Sequence, residues 1–140
     1  MAELFRYAHR VTYAECTVGN HIYHSRYLDL LEAARGELMR ALGATVLELQ
    51  ERDFIFPVIE ARLRYKFPAR YDDLLNIAST VAMDGRAKIR FDAQISQNAN
   101  GKPVVRGHTV HAFADAQGKP IRPPAWFLEL VQKAADSAAT

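Results

Sequence analysis

A short segment near the amino terminus contains the side chains best suited to chemistry. Residues 11–37 combine a strand-like start, a Gly-Asn turn and a long amphipathic run. His24 lies where that run begins, and an imidazole, which changes charge at about pH 6.5, can relay a proton or bind a polar substrate. Glu15 and Thr17 precede the turn, and in a strand they would share a face. The first N–H groups of a helix lack intrahelical partners, so they can hold a carbonyl oxygen or an anion.

The remaining titratable residues give weaker signals. His108 and His111 are an odd number of positions apart, so on a strand they point to opposite faces and make a poor metal pair. The sequence contains no zinc spacing, and we expect neither a metal nor a resident cofactor. Cys16 is the single cysteine, which excludes an intramolecular disulfide. Its position between Glu15 and Thr17 predicts a small, half-buried filler.

One long helix must position this chemistry. Gly43 suits a left-handed helix end, and residues 45–52 predict a further short helical turn. Residues 5–13 are aromatic and β-prone, which predicts the first strand. The helix itself is predicted from about residue 24 to residue 42, where apolar side chains recur with the spacing of one stripe: Tyr27, Leu30, Leu31, Ala34, Leu38 and Leu42.

The rest of the chain alternates with the period of a β-strand. Asp84-Gly85 and Asn100-Gly101 tolerate positive φ, so we expect the last three strands to form antiparallel hairpins. Pro123-Pro124 predicts a C-terminal helix over residues 125–135. The resulting order predicts an α+β fold, an antiparallel sheet around one principal helix. The four alternating runs, each predicted to bury one face, are residues 58–67, 75–83, 89–96 and 104–114.

Length and charge narrow the function classes. The 140 residues, 49% of them hydrophobic, fit a single domain (1–140) that can bury a core. Lys and Arg number 18 and Asp and Glu 16, so the formal charge of +2 gives no reason to expect a nucleic-acid partner. A membrane-spanning helix needs about 18 consecutive apolar residues, and no apolar run in the sequence approaches that length. No signal-like segment follows Met1. We therefore expect a soluble, cytoplasmic protein.

The pattern at the amino terminus resembles a known family. An aromatic-rich strand, an acidic residue, a glycine turn, a Tyr-His step and a helix of the form Y…L…E.AR.E follow one another in VTYAECTVGNHIYHSRYLDLLEAARGE. This segment is similar to the 4-hydroxybenzoyl-CoA thioesterase branch of the hotdog fold. Residues 64–77, RYKFPARYDDLLNI, resemble the family's Pro-Ala-Arg and acidic loop. The resemblance covers nearly the whole chain and implies a curved antiparallel sheet around a long central helix.

What the resemblance implies is hydrolysis of an acyl thioester carried by coenzyme A or by an acyl-carrier protein. In the family, the N–H at the start of the central helix holds the acyl carbonyl. In this sequence that helix start falls at about His24 and Ser25. Tol-Pal-associated acyl-CoA thioesterases have a histidine at the position of His24. The family's usual Asp-Thr-Asp or Asp-Cys-Asp is Glu15-Cys16-Thr17 here, so the second acid is a threonine. Thioesterases similar to enediyne polyketide enzymes also lack that acid and keep Val-Gly-Asn before the helix.

Two hypotheses follow from these residues. In the first, the protein is an acyl-CoA thioesterase in which His24, Thr17 and Glu15 are catalytic and Tyr23 and Ser25 contact the substrate. In the second, the threonine marks a catalytically weak module that binds acyl thioesters. A hotdog dehydratase fits less well, because the His and helix-acid arrangement of that branch is not evident.

Two further expectations concern the ligand and the assembly. Arginine grips phosphate bidentately, and among the basic residues we select Arg70 and Arg90 as binding candidates for the phosphates of a coenzyme A substrate. The family also implies a homodimer that joins two sheets edge to edge, or a homotetramer, with the site at the interface. An uncovered sheet edge makes such pairing favourable.

Overall fold

A five-stranded antiparallel sheet is the framework of the molecule, with strand order β1-β5-β6-β7-β4. The computed structural model describes residues 5–139 and, within them, the side chains of residues 5–136. A separate two-stranded hairpin is formed by β2 and β3. In chain order the elements are β1 (Phe5–Arg10), β2 (Cys16–Thr17), β3 (His21–Ile22), α1 (Arg26–Leu42), α2 (Val46–Glu51), β4 (Val58–Tyr65), β5 (Leu74–Met83), β6 (Lys88–Gln97), β7 (Pro103–Ala112) and α3 (Ala125–Ala139).

The predicted central helix is confirmed as α1. Its apolar stripe faces the sheet, where Leu30, Ala34 and Leu38 are buried. The helix ends at Gly43, whose φ of 94° requires the left-handed conformation predicted for it. Burial of such a stripe against the sheet is the main stabilising term for a helix of this length. The helix is therefore a rigid support for whatever lies at its ends.

Two apolar clusters surround this helix. One lies between the amino-terminal half of α1 and the inner face of the sheet, and it includes Leu75, Ile77 and Ile95. The other lies beneath the carboxyl-terminal half, where Phe54 and Phe127 from the flanking segments pack 5.0 Å apart between ring centroids. Cys16 packs half-buried against the first cluster, as predicted. The two ends of the helix thus have different surroundings.

The strand meander follows the turn chemistry of the sequence. β5, β6 and β7 pair antiparallel with one another, and Gly85 and Gly101 have positive φ at the two connections, as expected. The short helix predicted after Gly43 is α2, whose Thr45 hydroxyl accepts a hydrogen bond from the Glu48 N–H at 3.2 Å. The C-terminal helix α3 begins at the predicted residue and runs beyond residue 135. Within the described residues, no helix is long and apolar enough to cross a membrane.

The first predicted strand is confirmed over residues 5–10 and is wrong in its last three residues. β1 ends at Arg10, and Tyr13–Glu15 form a turn of 3-10 helix. The Thr12 N–H and hydroxyl both donate to Glu15 Oε1, at 2.7 and 3.0 Å, which closes this turn. Local side-chain hydrogen bonds of this kind compete with a strand ladder. Glu15 and Thr17 therefore do not share one strand face, contrary to the prediction.

The prediction of a buried face on residues 58–67 is also wrong. β4 is exposed on both faces except at Leu63, which is half-buried. The strand is the last in the sheet and pairs only with β7 among the described residues, whereas α1 packs against β1 and β5. Alternation in the sequence identified the strand, but its neighbours determine burial. β4 leaves Val58 and Ile59 about half exposed, at 50% and 56%.

Candidate functional site

A surface cavity of about 430 Å³ opens at the start of the central helix. The β2–β3 hairpin forms one wall, the first residues of α1 form the floor, and the end of β4 with the following loop forms the other wall. The side chains that face it include Thr17, His21, Tyr23, His24, Tyr27 and Tyr65, together with residues 66–68. The cavity thus gathers residues that are up to about 50 positions apart in the sequence.

The hairpin presents Thr17 to the cavity. Thr17 pairs with His21 across the turn, and the Asn20 N–H donates to the Thr17 carbonyl at 3.1 Å. Gly19 and Asn20 have φ values of 92° and 58°, which glycine and asparagine tolerate best. The Arg70 guanidinium donates to the Gly19 carbonyl at 3.1 Å and the Asn20 carbonyl at 3.4 Å. The tip of the hairpin is therefore fixed to the loop before β5.

The helix start provides backbone donors. His24 and Ser25 directly precede α1, whose first turn is closed by the Arg26 N–H donating to the Tyr23 carbonyl at 2.9 Å. The Ser25 side chain makes no capping bond. In the described part of the chain, the N–H groups of His24 and Ser25 have no hydrogen-bond acceptor. These two N–H groups are free to polarise a bound oxygen.

Aromatic rings hold His24 in place. The Tyr65 hydroxyl donates to the His24 carbonyl at 3.2 Å, and the His24 ring lies 4.5 Å from the Tyr23 ring and 6.4 Å from the Tyr65 ring, between centroids. Tyr27 is buried, and its hydroxyl accepts a hydrogen bond from the Ala69 N–H at 3.2 Å. Burial raises the pKa of Tyr27, so its phenol stays neutral. The backbone of His24 is therefore fixed, and its imidazole lines the cavity.

The structure brings together four of the seven residues selected from the sequence. Thr17, Tyr23 and His24 line the cavity, and Ser25 lies next to His24 at its floor. The other three, Glu15, Arg70 and Arg90, do not line it. Of these, Arg70 supports the hairpin from outside through the bonds described above.

Glu15 is engaged elsewhere. Its carboxylate lies 2.8 Å from His9 Nε2 and accepts from Thr12, while its carbonyl accepts from the Tyr23 N–H at 3.0 Å. Burial raises the pKa of Glu15, but the hydrogen bonds from Thr12 and His9 together lower it further, so the pKa lies below its ordinary value. A carboxylate held in this way is ionised and committed to the turn that carries β2. Its direct contribution to the site is to the position of Tyr23.

Arg90 lies on the outer face of the sheet. Its guanidinium donates two hydrogen bonds of 3.0 Å to Asp92 and lies 3.2 Å from His108 Nδ1. The Asp92 bonds hold the pKa of Arg90 above its ordinary value. Since β6 residues alternate between faces, Arg90 points away from the side of the sheet that α1 covers.

Several cavity residues were missed by reasoning from the sequence. Tyr65, Lys66, Phe67 and Pro68 reach the cavity because β4 ends beside the helix start, a proximity that no local motif encodes. His21 also lines the cavity, where it faces Thr17 across the hairpin. The run of Tyr65, Phe67 and Pro68 at a strand end was the available signal. No Asp or Glu lines the cavity among the residues that the structure describes.

Comparison with known proteins decides the family. The sequence profile of the Thioesterase-like superfamily matches residues 11–131, which include the whole cavity and α1. The chain belongs to this superfamily. Its α+β architecture is accordingly the hotdog fold that the sequence pattern predicted.

Named relatives and a solved structure agree with this assignment. The chain is 34% identical to the acyl-CoA thioesterase YbgC of Haemophilus influenzae over 95 residues, 67% of this chain and 70% of that protein. It is 30% identical to the acyl-CoA thioester hydrolase YbgC of Escherichia coli over 97 residues, 69% of this chain and 72% of that protein. The crystal structure of Slr0204, a 1,4-dihydroxy-2-naphthoyl-CoA thioesterase from Synechocystis, superposes with a TM-score of 0.85 at 19% identity, covering 94% of this chain and 97% of that one. The likeness to Slr0204 shows the shared fold.

Proposed function

We propose that this thioesterase-like protein hydrolyses acyl thioesters carried by coenzyme A or by an acyl-carrier protein. The observation that carries the proposal is the cavity at the start of α1, where His24, Thr17 and the free N–H groups of His24 and Ser25 converge. The names of the YbgC relatives support acyl-CoA as the substrate class. Coenzyme A enters as part of the substrate, and the proposed reaction needs no other cofactor.

The proposed reaction uses polarisation of the carbonyl and attack by water. The thioester oxygen accepts hydrogen bonds from the N–H groups of His24 and Ser25, which stabilise the charge that develops on it. The Thr17 hydroxyl orients a water on the opposite side, and the His24 imidazole accepts a proton from that water. A C–O bond forms, the C–S bond breaks, and the leaving thiolate takes up the proton that His24 accepted, which restores the neutral imidazole. Tyr23 packs beside the imidazole and lines the path of the acyl carrier.

A second candidate function has an observation in its favour. Hotdog thioesterases commonly have a carboxylate as the general base at this site. No carboxylate lines the cavity among the described residues. A hydroxyl is a poor nucleophile at neutral pH without a base beside it. The alternative is a module that binds an acyl thioester at the helix start and turns it over weakly.

A turnover screen separates the two. The protein is incubated with acyl-CoAs of short, long and aryl chains, and release of free thiol is measured against a protein-free control. Hydrolysis at a rate above the control for at least one chain supports the enzyme. Measurable binding of these thioesters by calorimetry with no thiol release for any of them supports the binding module instead.

We also propose that the functional unit is a homodimer formed through β4. This strand ends the sheet, it has no neighbour on its outer side among the described residues, and it exposes Val58, Ile59 and Tyr65 at 50%, 56% and 51%. An uncovered edge of this kind is favourable for pairing with a second copy. Since Tyr65 lines the cavity, such pairing brings the partner close to the site. A dimer of dimers is the larger assembly to be tested.

A further inference from the structure

The outer face of the sheet carries a concentrated positive charge. Four arginines and one aspartate line a shallow groove of about 240 Å³ across β4, β6 and β7, an excess of three positive charges in a chain whose total is +2. The groove is lined by Arg62, Arg64, Arg90, Asp92, Arg106 and His108, together with Gly107. We call the three strands at this groove the arginine face.

Only part of that charge is neutralised within the chain. Arg90 is paired with Asp92, and His108 Nε2 lies 3.0 Å from Glu60 Oε2. Arg62, Arg64 and Arg106 have no ion pair or side-chain hydrogen bond with any described residue. These three guanidinium groups are available to an external anion.

The register of the sheet places two of them side by side. Arg64 on β4 is the direct cross-strand neighbour of Arg106 on β7, and Arg62 is that of His108. Like charges directly opposite each other destabilise a sheet. An anionic group between Arg64 and Arg106 would reverse the sign of this interaction, because guanidinium groups bind carboxylate and phosphate bidentately.

The arginine face is close to the cavity. β4 runs from Arg62 through Arg64 to Tyr65, and both Tyr65 and Lys66 line the cavity at the helix start. Arg64 and Tyr65 point to opposite faces of the strand, so a partner seated on the arginine face would reach the cavity around the end of β4, roughly 7 Å along the strand from Arg64. Pairing of two β4 edges would also place the arginine faces of both protomers in one continuous surface.

We propose that the arginine face is the docking surface for an acidic acyl-carrier protein that delivers its thioester to the cavity. This rests on the proposed function. A second copy of this chain is a poor occupant, because two such faces would repel each other. The unpaired arginines lie on two strands at successive outward positions and are doubled in the dimer. An acidic helix can contact charges that extend over both protomers in this way, whereas the phosphates of one coenzyme A could engage the arginines of only one protomer.

The experiment compares one acyl group on three carriers. The triple variant Arg62→Glu, Arg64→Glu and Arg106→Glu is assayed with the acyl group attached to an acyl-carrier protein, to coenzyme A and to N-acetylcysteamine. The control, Lys119→Glu, Arg122→Glu and Lys133→Glu, makes the same charge change at three exposed residues outside the groove. Binding of the acylated carrier protein is measured in parallel by calorimetry at two salt concentrations.

We expect the triple variant to lose at least about tenfold in carrier-protein affinity and in kcat/KM with that substrate, and the control to lose neither. The coenzyme A and N-acetylcysteamine substrates should be unaffected, and carrier binding by the native protein should weaken with salt. An equal loss with coenzyme A would assign the face to nucleotide phosphates and overturn the proposal, as would unchanged carrier binding.

Two features keep this test separate from the proposed function. If the native protein turns over no thioester, the proposed function fails, but the calorimetric comparison still decides the docking surface. If the triple Glu variant does not fold, Arg64→Gln with Arg106→Gln removes the opposed pair of charges with little change in shape. That variant should show the same loss of carrier binding, in a smaller amount.

Discussion

At the scale of single residues, Thr17 is the position at which the proposed chemistry can be tested most directly. It lines the same cavity as His24, and its backbone is fixed by the hairpin. The nearest acid in the sequence, Glu15, is bound to His9 and Thr12 and does not reach the cavity. A carboxylate introduced at position 17 would therefore be the only one on this wall among the described residues.

Thr17→Asp is expected to raise thioesterase turnover. A positioned general base typically contributes roughly 10²–10⁴-fold, so even an imperfectly placed carboxylate should give at least about a tenfold gain above pH 5, where an aspartate is ionised. Turnover is measured by thiol release from pH 5 to 8. The control is Thr17→Asn, because asparagine has the shape of aspartate without its charge, and this variant should show no gain. Equal or lower turnover in a folded Thr17→Asp protein would show that this site does not use an acid-dependent route.

His24→Ala should lower kcat by about 10²-fold while leaving the melting temperature unchanged, because the ring lies at an open cavity rather than in the core. The control is His21→Ala, which removes the other imidazole of the cavity. Activity and melting are measured on the same samples. A loss of about 1 kcal/mol or more in stability would identify His24 as a packing residue instead, and full activity in a folded variant would remove it from the mechanism.

His111 makes the stability of the protein depend on pH. The residue is 1% exposed. Its Nδ1 lies 2.8 Å from the Phe56 carbonyl oxygen, and its Nε2 lies 2.8 Å from the Thr109 hydroxyl oxygen. Burial lowers its pKa to about 4, although the bond to Phe56 partly opposes this and the charge of Arg35 adds to it. In the unfolded chain the pKa is about 6.5. The neutral form is therefore favoured by folding.

The sign of the effect follows from linkage. Above about pH 6.5 neither state binds the proton, and as the pH falls toward 4 only the unfolded state binds it, so stability is lost in that window. Between pH 7.5 and pH 5 we expect a loss of roughly 2 kcal/mol, measured by urea unfolding. His111→Gln, which cannot titrate, should flatten this dependence. An equally steep loss in that variant would assign the effect to other groups.

The sequence located the residues of the site better than it located their partners. Thr17, Tyr23 and His24 could be placed because a Gly-Asn turn and a helix start are local features. Glu15 and Arg90 could not, because their local bonds to Thr12 and Asp92 are joined by contacts from other strands, His9 of β1 for Glu15 and His108 of β7 for Arg90. Pairings of this kind depend on sheet register, which one sequence does not encode locally.

At the scale of elements, two glycines test how closely α1 and β7 are packed. A Cβ built on Gly36 in α1 meets no atom within 4 Å, whereas one built on Gly107 in β7 would collide with the Arg62 carbonyl and the Leu63 side chain of β4. Gly36→Ala should therefore raise stability by about 0.5–1 kcal/mol, since alanine restricts the unfolded chain and favours helix. Gly107→Ala should lower it by about 1–3 kcal/mol. Urea unfolding of both variants at pH 7.5 measures the pair, and shifts of the same sign would contradict this account.

The elements themselves were largely predictable, and their exceptions have a common cause. Helical and strand periods identified α1 and the four strands after it, because burial on one side imposes those periods. The 3-10 turn at Tyr13–Glu15 and the two-residue strands β2 and β3 are too short for any period to appear. The exposure of β4 was missed because alternation predicts a face but not what covers it.

At the scale of the whole molecule, β4 combines three roles. It ends the sheet, its last residue Tyr65 lines the cavity, and its outward arginines form part of the arginine face. Edge-to-edge pairing through this strand is compatible with all three, because it covers the edge and leaves the outer face open. Stacking of two arginine faces is not, since it would bring unpaired positive charges together. The charge distribution therefore favours dimers over tetramers built by such stacking.

The last prediction concerns this assembly. Native protein should have the mass of a dimer by light scattering at micromolar concentration, and Val58→Lys with Ile59→Lys should shift it to monomer, because charged side chains on an edge strand disfavour strand pairing. Leu47→Lys in α2, which is 64% exposed, makes the same kind of change away from β4 and should leave the mass unchanged. If the site is shared, the monomeric variant also loses thiol release while keeping its circular dichroism spectrum. A monomeric mass for the native protein would refute the dimer, and an active monomer would confine the site to one chain, with Tyr65 serving the cavity of its own protomer only.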